Sequence, residues 1–354
     1  MATIGALART LVRYLMVAIL LPFFHQSIRK LVPSMNSIQT RRTGTVDLKT
    51  RFTRHCWPYL FVLPFFLIYF TFNLYPVIFS FVISLTNWDS LYLAERKFVG
   101  LANYIHLFTS NPFFWKSLGN TALFMIGYIP LIIILGLLLA VTLFNLPKFK
   151  RIFQTLNLLP YITTPVAIGI IFSFIFDWSS GLLNRFLLAV HAVPDGVNWL
   201  GIGDLSRVVV ILMIFWRNLG YYLMIYLAGL TGIPAEINEA ALVDGASKRQ
   251  IFFSITLPFL KPITLFLVVT SIIGGFQLFD EPYLLFSGGM ASNGLQIVGG
   301  PDRACLTTVW YFFDTAFRST TKLGLSSAIS YGLFMVILVF SLLSLKIFTG
   351  KEEK

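Results

Sequence analysis

The sequence predicts an all-α integral membrane protein of six transmembrane helices, and three observations carry that prediction. Hydrophobic residues make up 56 % of the 354-residue chain, charged residues only 12 %, and mean hydropathy is +0.78. That is far more apolar than a soluble domain of this length. The apolar residues fall in continuous runs of about 20, the helix length that crosses a bilayer. With no water in the hydrocarbon to satisfy backbone groups, such runs close their hydrogen bonds internally as helices. The third observation is a polar, helix-patterned stretch at residues 231–258 between two of the runs.

Taken in order, the spans are expected at Tyr59–Leu85, Leu118–Phe144, Leu156–Phe176, Val208–Leu230, Ile263–Phe286 and Leu325–Phe348. Pro64, Pro76, Pro130, Pro160 and Pro165 fall within this pattern; membrane helices tolerate proline where neighbours satisfy the freed carbonyls. Residues 1–57 form a basic arm in which Arg9, Arg13, Arg29, Lys30, Arg41, Arg42, Lys49, Arg51 and Arg54 face the single acid Asp47. The positive-inside rule makes this arm cytoplasmic. Alternation then puts Lys148, Lys150, Arg151, the loop holding Glu239 and the tail holding Lys351 inside, and Asp89, Asp195 and Asp302 outside. Leu11–Phe24 is apolar but short and contains Arg13, so it reads as a membrane-surface helix or arm rather than a seventh span. Cys56 and Cys305 fall at opposite faces, a separation that no disulfide bridges.

In the polar stretch, Pro234 suits a first helical turn, Glu236 favours a helix N-terminus, and Asp244-Gly245 ends a helix with glycine left-handed. Ser247 and Gln250 form a capping box for a second helix running through Phe252 and Phe253 toward Leu257-Pro258. The expected form is helix, tight turn, helix at the inner face. Its residues Glu239-Ala240-Ala241, then Asp244-Gly245, Ile255 and Leu257-Pro258 are spaced like the EAA loop of permease subunits of binding-protein-dependent ATP-binding-cassette importers, a motif this stretch resembles at every position. The resemblance implies the type I importer fold and a short helix that docks into a cleft of the ATPase subunit. There Glu239 accepts charge-assisted hydrogen bonds, Ala240 and Ala241 keep the contact close, and Gly245 sets the turn. The plainer reading is a solvated amphipathic loop.

Further stretches resemble the carbohydrate branch, in particular the first permease subunit of maltose and glycerol-3-phosphate importers. They are Phe98 to Tyr104 with Phe113, Trp115, Ser117 and Asn120-Thr121; Leu227 to Leu230 with Ile233-Pro234; Gln277 to Tyr283; Gly299-Gly300-Pro301; and Thr307-Thr308 before Trp310-Tyr311. The match spans about residues 55–348, a six-span permease domain at 58–350 following the arm. It departs from the family in a lengthened outer loop near 288–303.

Arg217, in the middle of the fourth span, costs about 2.5–3.5 kcal/mol on insertion scales and must face the bundle interior or a wet cavity. Asp280 and Glu281 are its candidate counter-ions, and a structural ion pair competes with substrate contact as its role. Sugars bind through aromatic faces and hydrogen-bonding groups, so Arg217, Asn218, Tyr221, Gln277, Phe279, Asp280 and Tyr283 form a chemically suitable pathway set. With 36 Phe and 14 Tyr in the chain, many aromatics instead face lipid or pack between helices. Gly136, Gly169 and Gly274 are expected at close helix contacts.

No Gly-rich phosphate loop is present in the sequence, so the motor is expected on another chain, with ATP and Mg bound there and no cofactor or metal on this one. An intramembrane enzyme would need convergent catalytic groups, yet the four His form no metal-ligand pair and no Gly-x-Ser-x-Gly elbow occurs. An ion-coupled secondary transporter would show deep acids and two similar halves. The expected partners are a second permease chain, an ATPase dimer, an extracytoplasmic solute-binding protein, a carbohydrate and the lipid bilayer, with no nucleic acid. The expected location is the bacterial inner membrane, with both termini cytoplasmic.

Overall fold

The computed structural model describes residues 62–89, 97–146, 150–287, 298–318 and 322–349. The arm at 1–57, its apolar segment at 11–24, Cys56 and the first part of the lengthened loop, 288–297, lie outside the described residues.

Five described helices are long and apolar enough to cross a membrane: α1 (Val62–Ser84), α3 (Pro112–Phe144), α7 (Gly203–Thr231), α9 (Lys248–Phe276) and α12 (Leu323–Thr349). The sixth expected span is a bent pair, α4 (Lys150–Ile162) and α5 (Pro165–Ile175), meeting at 95°. Shorter helices are α2 (Ala102–Thr109), α6 (Leu182–Ala189), α8 (Ala235–Val243), α10 (Asp280–Ser287) and α11 (Thr308–Phe317).

Prolines account for most departures from the expected spans. Leu156–Phe176 is not continuous, because Pro165 holds Thr164 in extended geometry (φ −61°, ψ 139°) and starts a new helix. The expected span Ile263–Phe286 stops at Phe276, and α10 begins after the break with Asp280 and Glu281 in its first turn. Pro282 offers no N–H, and its ring would meet the carbonyl four residues back in an unbroken helix. The second helix of the polar stretch does not end near Pro258; it runs from Lys248 into the membrane as α9.

Prolines also explain two widened turns. In α1, taken by itself, a π turn at Phe70–Leu74 closes with the Tyr75 N–H donating to the Phe70 carbonyl, one residue before Pro76. In α9 the same turn at Phe252–Thr256 closes from Leu257 to Phe252, one residue before Pro258. Each proline removes the next i→i−4 bond, and the preceding turn widens to keep its carbonyls paired.

The remainder of the described chain is built around α7, which packs against α3 along most of its length and also meets α4, α9 and α10. Phe124, Ile132, Met213, Ile214, Leu267 and Trp310 belong to one continuous core. At Gly220 a Cβ would stand 2.0 Å from the Asn157 carbonyl oxygen, so α7 and α4 touch backbone to backbone there. Gly136 and Gly169 lie at close contacts, as expected from the sequence; Gly274 faces open space and does not.

Candidate functional site: the α8 turn and the centre of the bundle

The polar stretch folds from its own residues. Asp244 ends α8; the Ala246 N–H donates to the Ala241 carbonyl (2.9 Å) and the Gly245 N–H to the Leu242 carbonyl (3.1 Å), a complete Schellman closure. Gly245 sits at φ +80°, the left-handed geometry that favours glycine. The Gln250 N–H then donates to Ser247 Oγ (3.3 Å) while the Ser247 N–H donates to Gln250 Oε1 (2.8 Å), the capping box read from the sequence. Glu239, Ala240, Asp244 and Gly245 are exposed, as are Leu242 and Val243, the latter at 87 %. Ile255 lies half-buried within the π turn, and Leu257 and Pro258 follow it exposed.

The two helices flanking this turn are stapled together. Tyr222 Oη and Ser271 Oγ lie 2.6 Å apart, and Tyr226 Oη donates to Thr264 Oγ1 at 3.2 Å. Ser271 and Thr264 each return a hydrogen bond to their own helix, at the Leu267 and Leu260 carbonyls. Tyr128 of α3 adds a hydrogen bond to the Ser271 carbonyl at 3.2 Å. A satisfied polar seam of this kind fixes helix register where an unpaired hydroxyl would be costly.

At the level of Arg217 the open choice of counter-ion resolves. Arg217 Nη1 pairs with Glu281 Oε1 at 2.5 Å, with side-chain exposures of 18 % and 8 %. Glu281 takes this position because α10 starts at Asp280 and turns the next residue toward α7, whereas Asp280 stays half-buried. Arg217 Nε and Gln277 Nε2 are buried without a hydrogen-bond partner. Asn218 donates back to the Ile214 carbonyl of its own helix (2.8 Å). Tyr221 stacks on Tyr161 of α4 with centroids 5.0 Å apart, and Phe279 stacks on Tyr283 at 4.8 Å, the second pair straddling Glu281 in sequence. Arg217, Asn218, Tyr221, Gln277, Phe279, Asp280 and Tyr283 are each neither fully buried nor fully exposed.

At the opposite end from α8, several stretches singled out in the sequence meet. Asn120 Nδ2 donates to the Arg303 and Leu306 carbonyls (2.9 and 3.1 Å), and the Thr308 N–H donates to Thr121 Oγ1 (3.3 Å). Arg207, paired with Asp204, also reaches Asn120 Oδ1 and the Ala304 carbonyl. The Arg303 guanidinium lies 3.7 Å from the centroid of the Phe113 ring. Cys305 is buried in this knot beside Ser206, and burial pushes its thiol up to about 12.

A family model described as "Binding-protein-dependent transport system inner membrane component" matches residues 132–348, which hold the α8 turn, the α7–α9 seam apart from Tyr128, and the Arg217 centre. The chain belongs to this family. The arabinooligosaccharides transport system permease protein AraP of Bacillus subtilis (strain 168) is 36 % identical over 87 % of this chain and 92 % of its own length. The lactose transport system permease protein LacF of Rhizobium radiobacter is 34 % identical over 88 % and 99 %. The trehalose/maltose transport system permease protein MalF of Thermococcus litoralis is 30 % identical over 82 % and 92 %. The fold is that of an importer subunit: a chain in the crystal structure of a bacterial ABC transporter involved in the import of the acidic polysaccharide alginate superimposes with a TM-score of 0.68. That match has 20 % identity and covers 85 % of this chain and 98 % of that one. Family membership decides for a transport permease over the ion-coupled transporter and the intramembrane enzyme.

Within this permease, sequence reasoning placed Tyr222 beside Arg217 but missed the seam that Tyr222 and Tyr226 form with Ser271 and Thr264. A signal was present: tyrosines four apart on α7 and hydroxyls seven apart on α9 each share one helix face. Gly220 and Tyr161 had no such signal, since their roles depend on where α4 lands.

Proposed function

We propose that this chain is one of two permease subunits of an ATP-driven carbohydrate importer, and that α8 is the joint through which a separate ATPase dimer drives it. The observation that carries the reading is the α8 turn: a rigidly capped helix with Glu239, Ala240, Leu242 and Val243 exposed, at one end of the stapled α7–α9 pair. A motion imposed on α8 reaches both helices together, because Tyr226–Thr264 and Tyr222–Ser271 bind them within the following turns. Glu239 takes hydrogen bonds from the ATPase, Ala240 and Ala241 allow close approach, and Asp244 and Gly245 hold the turn. Ile255, Leu257 and Pro258 shape the π turn that redirects α9 into the membrane.

In this reading the α8 end and both termini are cytoplasmic, in keeping with the basic arm. ATP and Mg bind on the ATPase, and this chain holds no cofactor. A solute-binding protein delivers sugar to the opposite end, where residues 299–308 are pinned; a binding-protein complex is known for the alginate importer of the same fold. The three named relatives carry arabinooligosaccharides, lactose and trehalose/maltose, which supports a carbohydrate cargo. The pathway set from Arg217 to Tyr283 lies on this chain's half of the route.

The test is co-expression with the candidate ATPase and a cysteine at Ala240. Cross-linking to the ATPase is expected, with loss of co-purification in a Glu239→Arg, Gly245→Val variant. Sugar-stimulated ATP hydrolysis and uptake that survive that double substitution would refute the joint.

A further inference from the structure

The Asp, Glu, Lys and Arg side chains of the described crossing helices lie toward the two ends of the bundle, although Lys261 is mid-helix in α9, with one exception at the centre. Lys116 lies near the start of α3 and donates to the Asp302 carbonyl; Asp204 and Arg207 open α7. Lys261 is exposed at the α8 end of the bundle, level with Gly229, whose neighbours are Leu260 and Ile263. Arg217 is the exception: it stands midway along α7, and the pair it forms places Glu281, with Asp280 adjacent, at the same depth. Among the described residues the centre therefore holds one cation and two carboxylates, and the cation is already paired.

We infer that the Arg217–Glu281 pair makes this half of the pathway selective for uncharged sugars over carboxylated or phosphorylated ones; the inference rests on the carbohydrate-permease reading above. An anionic cargo needs an unpaired cation when it leaves water. Here Glu281 occupies the guanidinium, and Asp280 adds repulsion. What the centre offers is polar with no net positive charge: the unpartnered Arg217 Nε–H and Gln277 Nε2 donate, the Asp280 carboxylate accepts, and the Tyr161–Tyr221 and Phe279–Tyr283 stacks present ring faces. A sugar hydroxyl both donates and accepts and can satisfy such a mixed set, whereas an ionised carboxylate or phosphate only accepts. Fold alone leaves this open, since an importer of the same fold carries an acidic polysaccharide.

The experiment titrates the purified permease–ATPase complex by calorimetry with maltotriose, xylotriose and trigalacturonate, without a solute-binding protein, so that only the permease selects. At least one neutral trisaccharide is expected to bind tenfold or more tighter than trigalacturonate. Trigalacturonate binding as tightly as both neutral sugars overturns the inference. Binding of none of the three overturns the carbohydrate reading beneath it and is distinct from the previous result. Glu281→Gln, which frees the cation while keeping the shape, is expected to shift the ratio at least tenfold toward trigalacturonate; an assembled variant with an unchanged ratio overturns the role of the pair. Should that variant fail to assemble, Arg217→Gln with Glu281→Gln removes both charges; the lost Nε–H donor lowers affinity for each sugar, and the ratio of neutral sugar to trigalacturonate is expected to stay within threefold of the parent's. Loss of the neutral preference in this assembled double variant is equally fatal to the inference.

Discussion

The α8 turn and the Arg217 centre share α7 and are held in opposite ways. The turn is closed by residues within six positions of one another, through the Schellman bonds and the Ser247–Gln250 box, and its outward face is exposed. The centre is closed by residues 64 positions apart, Arg217 and Glu281, with aromatic support from α4 and α10. In the proposed reading the turn grips a partner outside the chain, which needs local rigidity and a free face. The centre, proposed to line a route, needs side chains brought from several helices.

Substitutions at the centre should therefore unfold the bundle, and those at the turn should spare it. The largest effect is expected from Glu281→Ala, which leaves Arg217 buried and unpaired at a cost of about 3–5 kcal/mol. Loss of the folded complex, or a steep fall in thermal midpoint by scanning fluorimetry, is the expected result; a midpoint like that of the parent would break the contrast. Next comes Gly220→Ala, whose Cβ would stand 2.0 Å from the Asn157 carbonyl. Pushing α4 from α7 is overpacking, worth about 1–3 kcal/mol, and the same melting curve checks it.

Gly245→Val tests the other side. No atom lies within 4 Å of a Cβ built there, so the cost is backbone strain at φ +80°, about 1–2 kcal/mol. That strain falls on the turn alone. The expected outcome is an unchanged melting midpoint with sugar uptake reduced at least tenfold per ATP hydrolysed, measured in proteoliposomes. A drop in midpoint comparable to that of Glu281→Ala would show that the turn is part of the bundle's cooperative unit.

The same contrast explains what was legible in the sequence. The α8 turn was readable down to the left-handed Gly245 and the capping box, because each depends on residues three to six apart. The spans were readable as apolar runs, and α3, α7 and α12 extend only a few residues beyond expectation. The break at Thr164 was missed although Pro165 announced it, because an apolar run reads as continuous through a bend. The Arg217–Glu281 pair could be narrowed to two acids and no further: one helical residue is 100° of rotation, and the depth of α10 depends on the break at Gln277–Phe279. Backbone contacts such as Gly220 on Asn157 leave no mark in either partner's local sequence.

Ser247→Ala carries the smallest effect and sharpens the contrast most. Ser247 Oγ accepts the Gln250 N–H, and its own N–H is held by the Gln250 side chain; alanine removes the first bond and leaves the second. The loss is about 1 kcal/mol, typical of an N-cap. If the turn is a local unit, that energy appears as faster amide hydrogen exchange at Lys248, Arg249, Gln250 and Ile251, roughly fivefold by the usual conversion of free energy to opening equilibrium. Exchange along Leu257–Phe276 stays unchanged, because α9 beyond the π turn is held by Tyr222, Tyr226 and Tyr128 rather than by its cap. Faster exchange spreading past Thr264 would mean that cap and seam open together, and that the joint and the pathway form one element rather than two.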